Sequence, residues 1–229
     1  MTALLSAEKL SFAYQDELWL FKDVDFCLRA GEIVGLMGPS GCGKSTFGYC
    51  LSGIIPHIYQ GNMQGKVFLE GKDISSLQLC EIAQKLGVVF QDPDTQLFSS
   101  TLEDDVVFGP ENLCRSWPEM DAALRRSLAA TNMTEHRLRN PKTLSGGQAQ
   151  LAALSAVLAL DPRILIFDEA MSHLDQKGVL AVQECVLSLK KQGCGIIMIE
   201  HEMERLQITD RILYLSDGIL KEESSCPSR

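Results

Sequence analysis

The hydrophobic and polar positions of the chain follow two periods, and each period predicts a type of element. Three nearly continuous apolar runs are typical of strands buried on both faces of a parallel sheet, namely EIVGLM at 32–37, RILIFD at 163–168 and GIIMI at 195–199. Residues 9–14 and 22–28 instead alternate between apolar and polar, as edge strands with one face toward a core do. The pattern therefore predicts a buried parallel sheet and two outer strands.

Segments with a helical period lie between these strands. In the last of them, Val179, Val182, Val186 and Leu189 recur at a spacing that places them on one helix face. The four predicted helices span residues 44–53, 118–130, 146–160 and 175–190.

Strands that alternate with helices predict an α/β fold with a mostly parallel sheet. We expect the early strands to form an N-terminal antiparallel β-subdomain and the middle helices to form an inserted helical subdomain. The prediction is one domain over residues 1–229, with its core at about 1–90 and 160–229 and the helical subdomain at about 91–159.

Charge and composition narrow the classes of protein that fit. The formal net charge is −9, which argues against a nucleic-acid-binding surface because such surfaces are basic. The longest apolar run, Leu151–Leu160, falls short of the roughly 20 residues that span a bilayer. Eight cysteines without a C-x-x-C pair are typical of reduced thiols rather than of a zinc site.

The stretch GPSGCGKS, Gly38–Ser45, fits the pattern G-x-x-x-x-G-K-[ST] between a predicted strand and a predicted helix. The backbone N–H groups of such a loop point at phosphate oxygens, and the helix N-terminus adds a partial positive charge. We expect Lys44 to reach the β- and γ-phosphates and the Ser45 hydroxyl to bind Mg²⁺. The alternative is a glycine-rich turn with a chance lysine, and Cys42 is interpreted as a small residue that fills the loop rather than as a redox switch. The motif predicts a P-loop nucleotide hydrolase core.

A second element, ILIFDEA, is an apolar strand that ends in two carboxylates. Asp168 at the strand end is predicted to hold the Mg²⁺ shell. Glu169 follows it and is predicted to orient and deprotonate the attacking water. After a phosphate loop, this arrangement predicts hydrolysis of the bound nucleotide.

A third element, LSGGQ at 144–148, precedes a predicted helix. Ser145 and Gln148 have the spacing of a capping box, so this is a second helix N-terminus able to bind an anion. The first loop already holds the phosphates of one nucleotide, and the second is therefore predicted to serve a nucleotide on another copy. The alternative is a plain capped helix.

Together the three motifs resemble the ATPase subunits of the ATP-binding cassette family, over nearly the whole chain. The resemblance implies a head-to-tail dimer, as a homodimer or a heterodimer, with two ATP molecules and Mg²⁺ at its interface. The implied ATP-binding residues are Tyr14, Gly38, Pro39, Ser40, Gly41, Cys42, Gly43, Lys44, Ser45, Thr46, Ser145, Gly146, Gly147 and Gln148.

Single positions also take roles from this resemblance. Tyr14 stands where the family stacks an aromatic ring on adenine, and Asp175 stands in the D-loop. The implied catalytic residues are Glu169, Gln91 and His201, and the implied Mg²⁺ ligands are Ser45, Gln91 and Asp168. The other histidines, His57, His136 and His173, are interpreted as surface or packing residues.

Four positions depart from the family pattern. The family usually has proline at 170, a small residue at 173, arginine at 151 and a small hydroxyl residue at 200. The residues present are Ala170, His173, Leu151 and Glu200. They leave open whether the two ATP sites of a dimer are equally active.

The segment QDPDTQLFSSTLEDDVVFGPENL at 91–113 resembles the energy-coupling-factor branch of the family, which drives uptake of vitamins and of cobalt or nickel ions. The resemblance implies that a transmembrane subunit docks on this segment with a short, basic-tipped helix. Thr101 and Asp104 are predicted to cap a helix that Gly109-Pro110 ends. Leu97 and Phe98 are both predicted to lie near the surface. The alternative is an ordinary surface helix.

The favoured hypothesis is the ATPase of an importer, peripheral on the cytoplasmic face of the membrane, with a substrate-binding membrane subunit as an indirect partner and no nucleic acid. One alternative is the ATPase of another transporter type. Another is a soluble cassette ATPase acting on DNA or ribosomes, which would usually bring coiled-coil insertions or basic linkers. A P-loop kinase or regulatory switch would leave LSGGQ and His201 without a role. The cargo stays open because membrane proteins select it.

Overall fold

The chain is described over residues 3–15 and 18–222 by a computed structural model. Its larger sheet has six strands in the order β10-β9-β3-β8-β7-β6, and all neighbours are parallel except β10 and β9. These strands are β3 (Ile33–Met37), β6 (Leu86–Val89), β7 (Ile164–Asp168), β8 (Gly195–Ile199), β9 (Arg211–Ser216) and β10 (Ile219–Glu222). The three predicted apolar runs are thus β3, β7 and β8.

Strand β7 shows why these runs are apolar at every position. Successive side chains of a strand point to opposite faces. Ile164 and Ile166 belong to one buried apolar cluster, and Leu165 and Phe167 belong to another. The strand is buried on both faces, as its sequence predicted.

A second sheet is antiparallel, in the order β2-β1-β4-β5. Its strands are β1 (Ala3–Ala13), β2 (Trp19–Arg29), β4 (Asn62–Leu69) and β5 (Lys72–Asp73). The prediction of two edge strands is wrong for β1, which lies between β2 and β4. The reason is that β4, a segment distant in the sequence, forms backbone hydrogen bonds along the edge of β1 that an edge strand would leave unpaired.

Seven helices complete the described part of the chain, besides short 3₁₀ turns. They are α1 (Lys44–Ser52), α2 (Ile54–His57), α3 (Leu79–Ala83), α4 (Leu102–Asn112), α5 (Trp117–Ala130), α6 (Gly146–Leu158) and α7 (Gln176–Lys191). Four of them, α1, α5, α6 and α7, match the predicted helices to within two residues. No helix in the described ranges is both long and apolar enough to cross a bilayer.

The core consists of two apolar clusters, one on each side of the parallel sheet. The cluster between the two sheets includes Phe47 of α1, whose ring meets Phe21 and Phe26 edge to face. The other cluster joins the parallel sheet to helices α4 to α7. Because α1 starts directly after the β3 loop, its packing holds that loop at the end of the sheet.

Two expectations for residues 91–113 are wrong. Helix α4 does not end at Gly109-Pro110 but continues to Asn112, since Pro110 removes one N–H donor while the Leu113 N–H still reaches the Gly109 carbonyl. Leu97 is buried at 5% exposure, whereas Phe98 is 63% exposed. Neighbouring residues of this loop therefore face opposite ways.

The predicted Thr101 cap is present, with its hydroxyl accepting from the Asp104 N–H.

We predict that Leu97→Ala destabilises the chain by about 2 to 5 kcal/mol, because it removes buried methyl groups from the helical cluster. Urea denaturation measures the change. Phe98→Ala is the matched control and should cost at most about 1.5 kcal/mol, the value of its aromatic pair with Phe108. Equal losses for the two variants would contradict the assignment of inside and outside at this loop.

Candidate active site

The loop between β3 and α1 has the backbone of a phosphate cradle. Gly38 has φ of 151°, and a Cβ there would lie 2.1 Å from the Leu215 carbonyl oxygen, so β9 approaches too closely for any other residue. Gly43 has φ of 101° and stands directly before α1. The loop therefore presents the N-terminus of α1 through a turn that only glycine adopts without strain.

Lys44 lies inside this loop and is 4% exposed. Its ammonium donates to the carbonyl oxygens of Gly38 at 3.0 Å and Pro39 at 3.2 Å. The Nζ atom is also 3.8 Å from Oε1 of Glu169. The loop thus centres a positive charge where a phosphate anion would be bound.

Ser45 and Asp168 meet beside it. The Ser45 hydroxyl donates to Oδ1 of Asp168 at 2.8 Å. Burial raises the pKa of Asp168, the Ser45 hydrogen bond opposes this rise, and the charge of Glu169 adds to it. A nearby cation would oppose this rise in the pKa, because it favours the charged carboxylate. Hydroxyl and carboxylate oxygens are the ligands that Mg²⁺ prefers, so these two residues fit that ion.

The Glu169 carboxylate lies between the side chains of Lys44 and His201. Its backbone is in the left-handed region at φ of 51°, and its N–H donates to the Ile199 carbonyl at 2.9 Å. Its other carboxylate oxygen is 3.8 Å from Nδ1 of His201. Lys44, Glu169 and His201 are thus brought together although they are far apart in the sequence.

Gln91 and Tyr14 lie at the margins of this group. The Gln91 amide donates to the Ser172 hydroxyl at 3.2 Å, which places it against the turn after Glu169 rather than on the Ser45–Asp168 pair. The Tyr14 hydroxyl is 3.2 Å from the Thr46 hydroxyl. Tyr14 also borders an open polar cleft of 640 Å³ together with Gln60 and Asn62. The cleft and the phosphate loop are therefore adjacent.

The LSGGQ loop caps α6 as predicted. Ser145 accepts from the Gln148 N–H, and Oε1 of Gln148 accepts from the Ser145 N–H. This second bond orients the amide, so its nitrogen faces Nε2 of His136 at 3.1 Å. His136 must accept there, which requires the tautomer protonated at Nδ1. The interpretation of His136 as a surface or packing residue missed this contact.

Asp175 caps the next helix. Its carboxylate accepts from the Gly178 N–H at 2.8 Å at the start of α7. A Cβ placed on Gly147 would lie 2.9 Å from the Gly178 Cα atom. The beginnings of α6 and α7 therefore touch backbone to backbone, which joins the LSGGQ loop to the Asp175 turn.

Sequence patterns gave no sign of two further residues at the site. Ser172 accepts from Gln91, and Arg205 donates to the Ser172 carbonyl. Neither residue belongs to a motif that predicts chemistry of its own. Both reach the site through hydrogen bonds to segments that are distant in the sequence. Of the four departures from the family pattern, Ala170, Leu151 and Glu200 are buried and His173 is exposed.

The fold and this group of residues define a P-loop nucleotide-binding protein. A family model described as ABC transporter matches residues 21–172. The energy-coupling factor transporter ATP-binding protein EcfA of Methanosarcina acetivorans is 38% identical over 216 residues, which cover 94% of this chain and 77% of the relative. The chain therefore belongs to the ABC transporter family, and the predictions of an ATPase and of a resemblance to the energy-coupling-factor branch are confirmed.

Two further similar proteins are a relative that is much longer than this chain and a protein of known structure. A putative ABC transporter ATP-binding protein of Methanosarcina mazei is 39% identical over 199 residues, which are 86% of this chain and 34% of the relative. The chain thus spans about a third of some of the curated relatives that it matches. CbiO1 of Clostridium perfringens, described as part of the ABC transporter complex cbiONQ, has a TM-score of 0.87 at 27% identity over 96% of this chain and 88% of that one. The predicted P-loop α/β fold is confirmed by this likeness.

We predict that Gly147→Ala destabilises the chain by about 1 to 3 kcal/mol, because the new methyl group has no room against the backbone of Gly178. Gly146→Ala is the matched control, since its Cβ would first meet Leu174 at an ordinary 3.8 Å. The control should stay within about 1 kcal/mol of the natural chain. Urea denaturation of both variants measures this, and a stable Gly147→Ala variant would contradict the close approach of the two helices.

Proposed function

We propose that this chain is the ATP-hydrolysing subunit of an energy-coupling-factor importer and that it works as a head-to-tail dimer. The observation that carries the proposal is the convergence of Lys44, Asp168, Glu169 and His201 at one edge of the parallel sheet. The relationship to EcfA supports the branch of the family.

Nucleotide binding rests on the loop from Gly38 to Thr46. The N–H groups at the start of α1 and the Lys44 ammonium bind the phosphates, since both present positive charge to the same space. Tyr14 and the cleft beside it receive the base. Ser45 and Asp168 would hold Mg²⁺, and the ion would neutralise the charge that develops on the phosphate oxygens.

Hydrolysis rests on Glu169. Its carboxylate takes the proton of the attacking water, and Lys44 and His201 on either side hold the carboxylate in place. His201 is half-exposed, so it is also available to contact the γ-phosphate. Gln91 reaches the same turn through Ser172 and aligns it.

The second half of each site comes from another subunit. Ser145 to Gln148 form a rigid, capped helix start whose glycines leave the backbone accessible, so the loop suits the phosphates of the nucleotide bound by the partner subunit. Gly147 of this loop approaches Gly178, which Asp175 caps, so the loop is joined to the chain segment that follows Glu169. The partner subunit is a second copy or a related chain.

We predict that Glu169→Gln lowers the ATPase rate by about 10² to 10⁴ while ATP still binds, because an amide has the same shape but accepts no proton. Lys44→Ala is the contrasting variant and should weaken ATP binding itself, since it removes the charge that faces the phosphates. Isothermal titration and phosphate release separate the two effects. Near-natural turnover by Glu169→Gln would remove Glu169 from the role of base.

The transmembrane subunit docks on the surface of residues 91–113. Phe98 and Phe108 are 63% and 47% exposed, and their rings meet edge to face at 4.9 Å. Asp104 and Glu111 stand on the same side of α4 as Phe108, at i−4 and i+3, and both are exposed. An apolar pair with acidic neighbours suits a short helix with a basic tip.

Hydrogen bonds from side chains to the backbone fix the loop that carries Phe98. The buried Asp105 carboxylate accepts from the N–H groups of Phe98 and Ser99 at 3.1 and 3.0 Å. Gln96 ties the same loop to the end of β6 by accepting from the Phe90 N–H. Phe98 is therefore presented by a fixed loop that also carries Gln91, and a movement of the docked helix is transmitted to the site through it.

The surface continues into an apolar cavity. Leu160 packs against Gly109 of α4, and it also lines a cavity of 310 Å³ together with Ile58 and Leu79. Ile58 is itself 59% exposed. A docked helix thus has apolar surface at Phe98 and Phe108 and again at this cavity, and the peripheral position of the chain at the membrane follows from the docking. The substrate-binding membrane subunit is met only through the docked subunit.

We predict that Phe98→Ala weakens assembly with the transmembrane subunit by about 2 kcal/mol or more, roughly thirtyfold, because anchor residues of such grooves carry most of the affinity. Co-purification from membranes measures it. The ATPase rate of the isolated chain should stay the same.

The matched control is Trp117→Ala. Trp117 is also aromatic and is 69% exposed, and it lies on α5 outside the docking surface. It should leave assembly unchanged. Equal effects of the two variants, or undiminished assembly of Phe98→Ala, would place the transmembrane subunit elsewhere.

A further inference from the structure

Two residues of opposite charge, Glu200 and Arg205, lie close to His201 in the chain, and their side chains are largely shielded from solvent. Glu200 is 1% exposed, and the Arg205 side chain is 11% exposed. The guanidinium Nη1 lies 3.5 Å from Oε2 of Glu200. We call this pair the clasp.

The clasp reaches from the His201 turn to the turn that follows Glu169. Oε1 of Glu200 accepts from the Met171 N–H at 3.3 Å. Nη2 of Arg205 donates to the Ser172 carbonyl at 3.2 Å. Both ends of the pair therefore bind backbone groups two and three residues beyond Glu169.

We propose that Glu200 and Arg205 are positioning residues for hydrolysis, which hold the turn after Glu169 at a set distance from His201. With that distance set, the Glu169 carboxylate stays between Lys44 and His201. The inference rests on the proposed function, since it assigns these residues to the reaction that Glu169 performs.

Stability alone is a weak explanation for the clasp. Removing two charges from water costs free energy, and a well-packed apolar pair of similar volume is often as stable as a buried ion pair. Burial raises the pKa of Glu200 to about 7, and the charge of Arg205 is the largest opposing influence. The clasp supplies something that an apolar pair lacks, namely directed bonds to the Met171 N–H and the Ser172 carbonyl.

Further contacts connect the clasp to α7 and to Gln91. The Arg205 carbonyl accepts from the Gln183 amide of α7, and Nε of Arg205 lies 3.0 Å from the Glu202 carboxylate. Ser172 is shared, because its hydroxyl accepts from Gln91 while its carbonyl accepts from Arg205. The clasp thus also backs the residue on which Gln91 rests.

The test compares Glu200→Gln with the double variant Glu200→Met/Arg205→Met. The first keeps the shape and the acceptor for the Met171 N–H but loses the charge. The second removes both charges, so no unpaired ion is left buried. Arg163→Met is the control, because Arg163 is exposed and its partner Glu70 lies at the opposite end of β7 from the site.

Each variant is measured for thermal stability, for ATP affinity by titration, and for kcat and KM of ATP hydrolysis. We expect kcat to fall about 10- to 100-fold in both clasp variants, since small misplacements of reacting groups have effects of that size. The double variant loses both directed bonds, and Glu200→Gln loses the charge that holds Arg205 against the Ser172 carbonyl. ATP affinity and KM should stay within about twofold, because the phosphate loop is unchanged. The double variant should melt within a few degrees of the natural chain, and the control should match it in every measurement.

A kcat within about twofold of the natural value in Glu200→Gln would overturn the proposal, and so would a KM that rises in step with the fall of kcat. If the double variant does not fold, Glu200→Gln decides alone. A natural chain that hydrolyses no ATP would overturn the proposed function and this inference with it. An active natural chain with fully active variants would overturn the inference alone.

Discussion

The site depends on one constraint, the parallel pairing of β3, β6, β7 and β8. In parallel strands the carboxyl ends lie at one edge of the sheet, and the register here is close, with Leu36 opposite Ile199 and Asp168 opposite the same residue. Each strand ends where a functional segment starts. The phosphate loop, Gln91, Glu169 and His201 are therefore neighbours because their strands are, and not because of any attraction among the side chains themselves.

Several charged side chains at that edge of the sheet are buried, and removing a charge from water costs free energy. Lys44, Asp168 and Glu200 are each less than 7% exposed. Burying an isolated ion is expensive, and each of these groups accordingly has a partner: Lys44 with loop carbonyls and Glu169, Asp168 with Ser45, and Glu200 with Arg205. The net charge of −9 therefore says little about the site, whose cations are paired and held inside.

The segment from Gln91 to Asn112 connects this edge with the surface. Gln91 reaches the turn after Glu169, Gln96 binds the end of β6, and Asp105 fixes the backbone that carries Phe98. A rigid loop with one end at the site and the other at an exposed aromatic pair is suited to carry a displacement between them. The exposed aromatic pair and the residues at the sheet edge are therefore joined by one continuous segment of chain.

The sequence alone determined the features that are local. Strands β3, β7 and β8 were predictable because burial on both faces demands continuous apolar residues, and the phosphate loop was predictable because its glycines, lysine and serine stand within eight positions. The caps at Thr101 and Ser145 were likewise encoded three residues apart.

Tertiary structure decided what depends on segments that meet from far along the chain. β1 became an inner strand because β4 pairs with it, and Leu97 turned inward because helices α4 to α6 form a cluster there, while Phe98 stayed outside. The contact of His136 with Gln148 and the reach of Arg205 to Ser172 leave no pattern in the sequence. A side chain's neighbours across the fold are set by the packing of whole elements, and no short stretch of sequence contains that information.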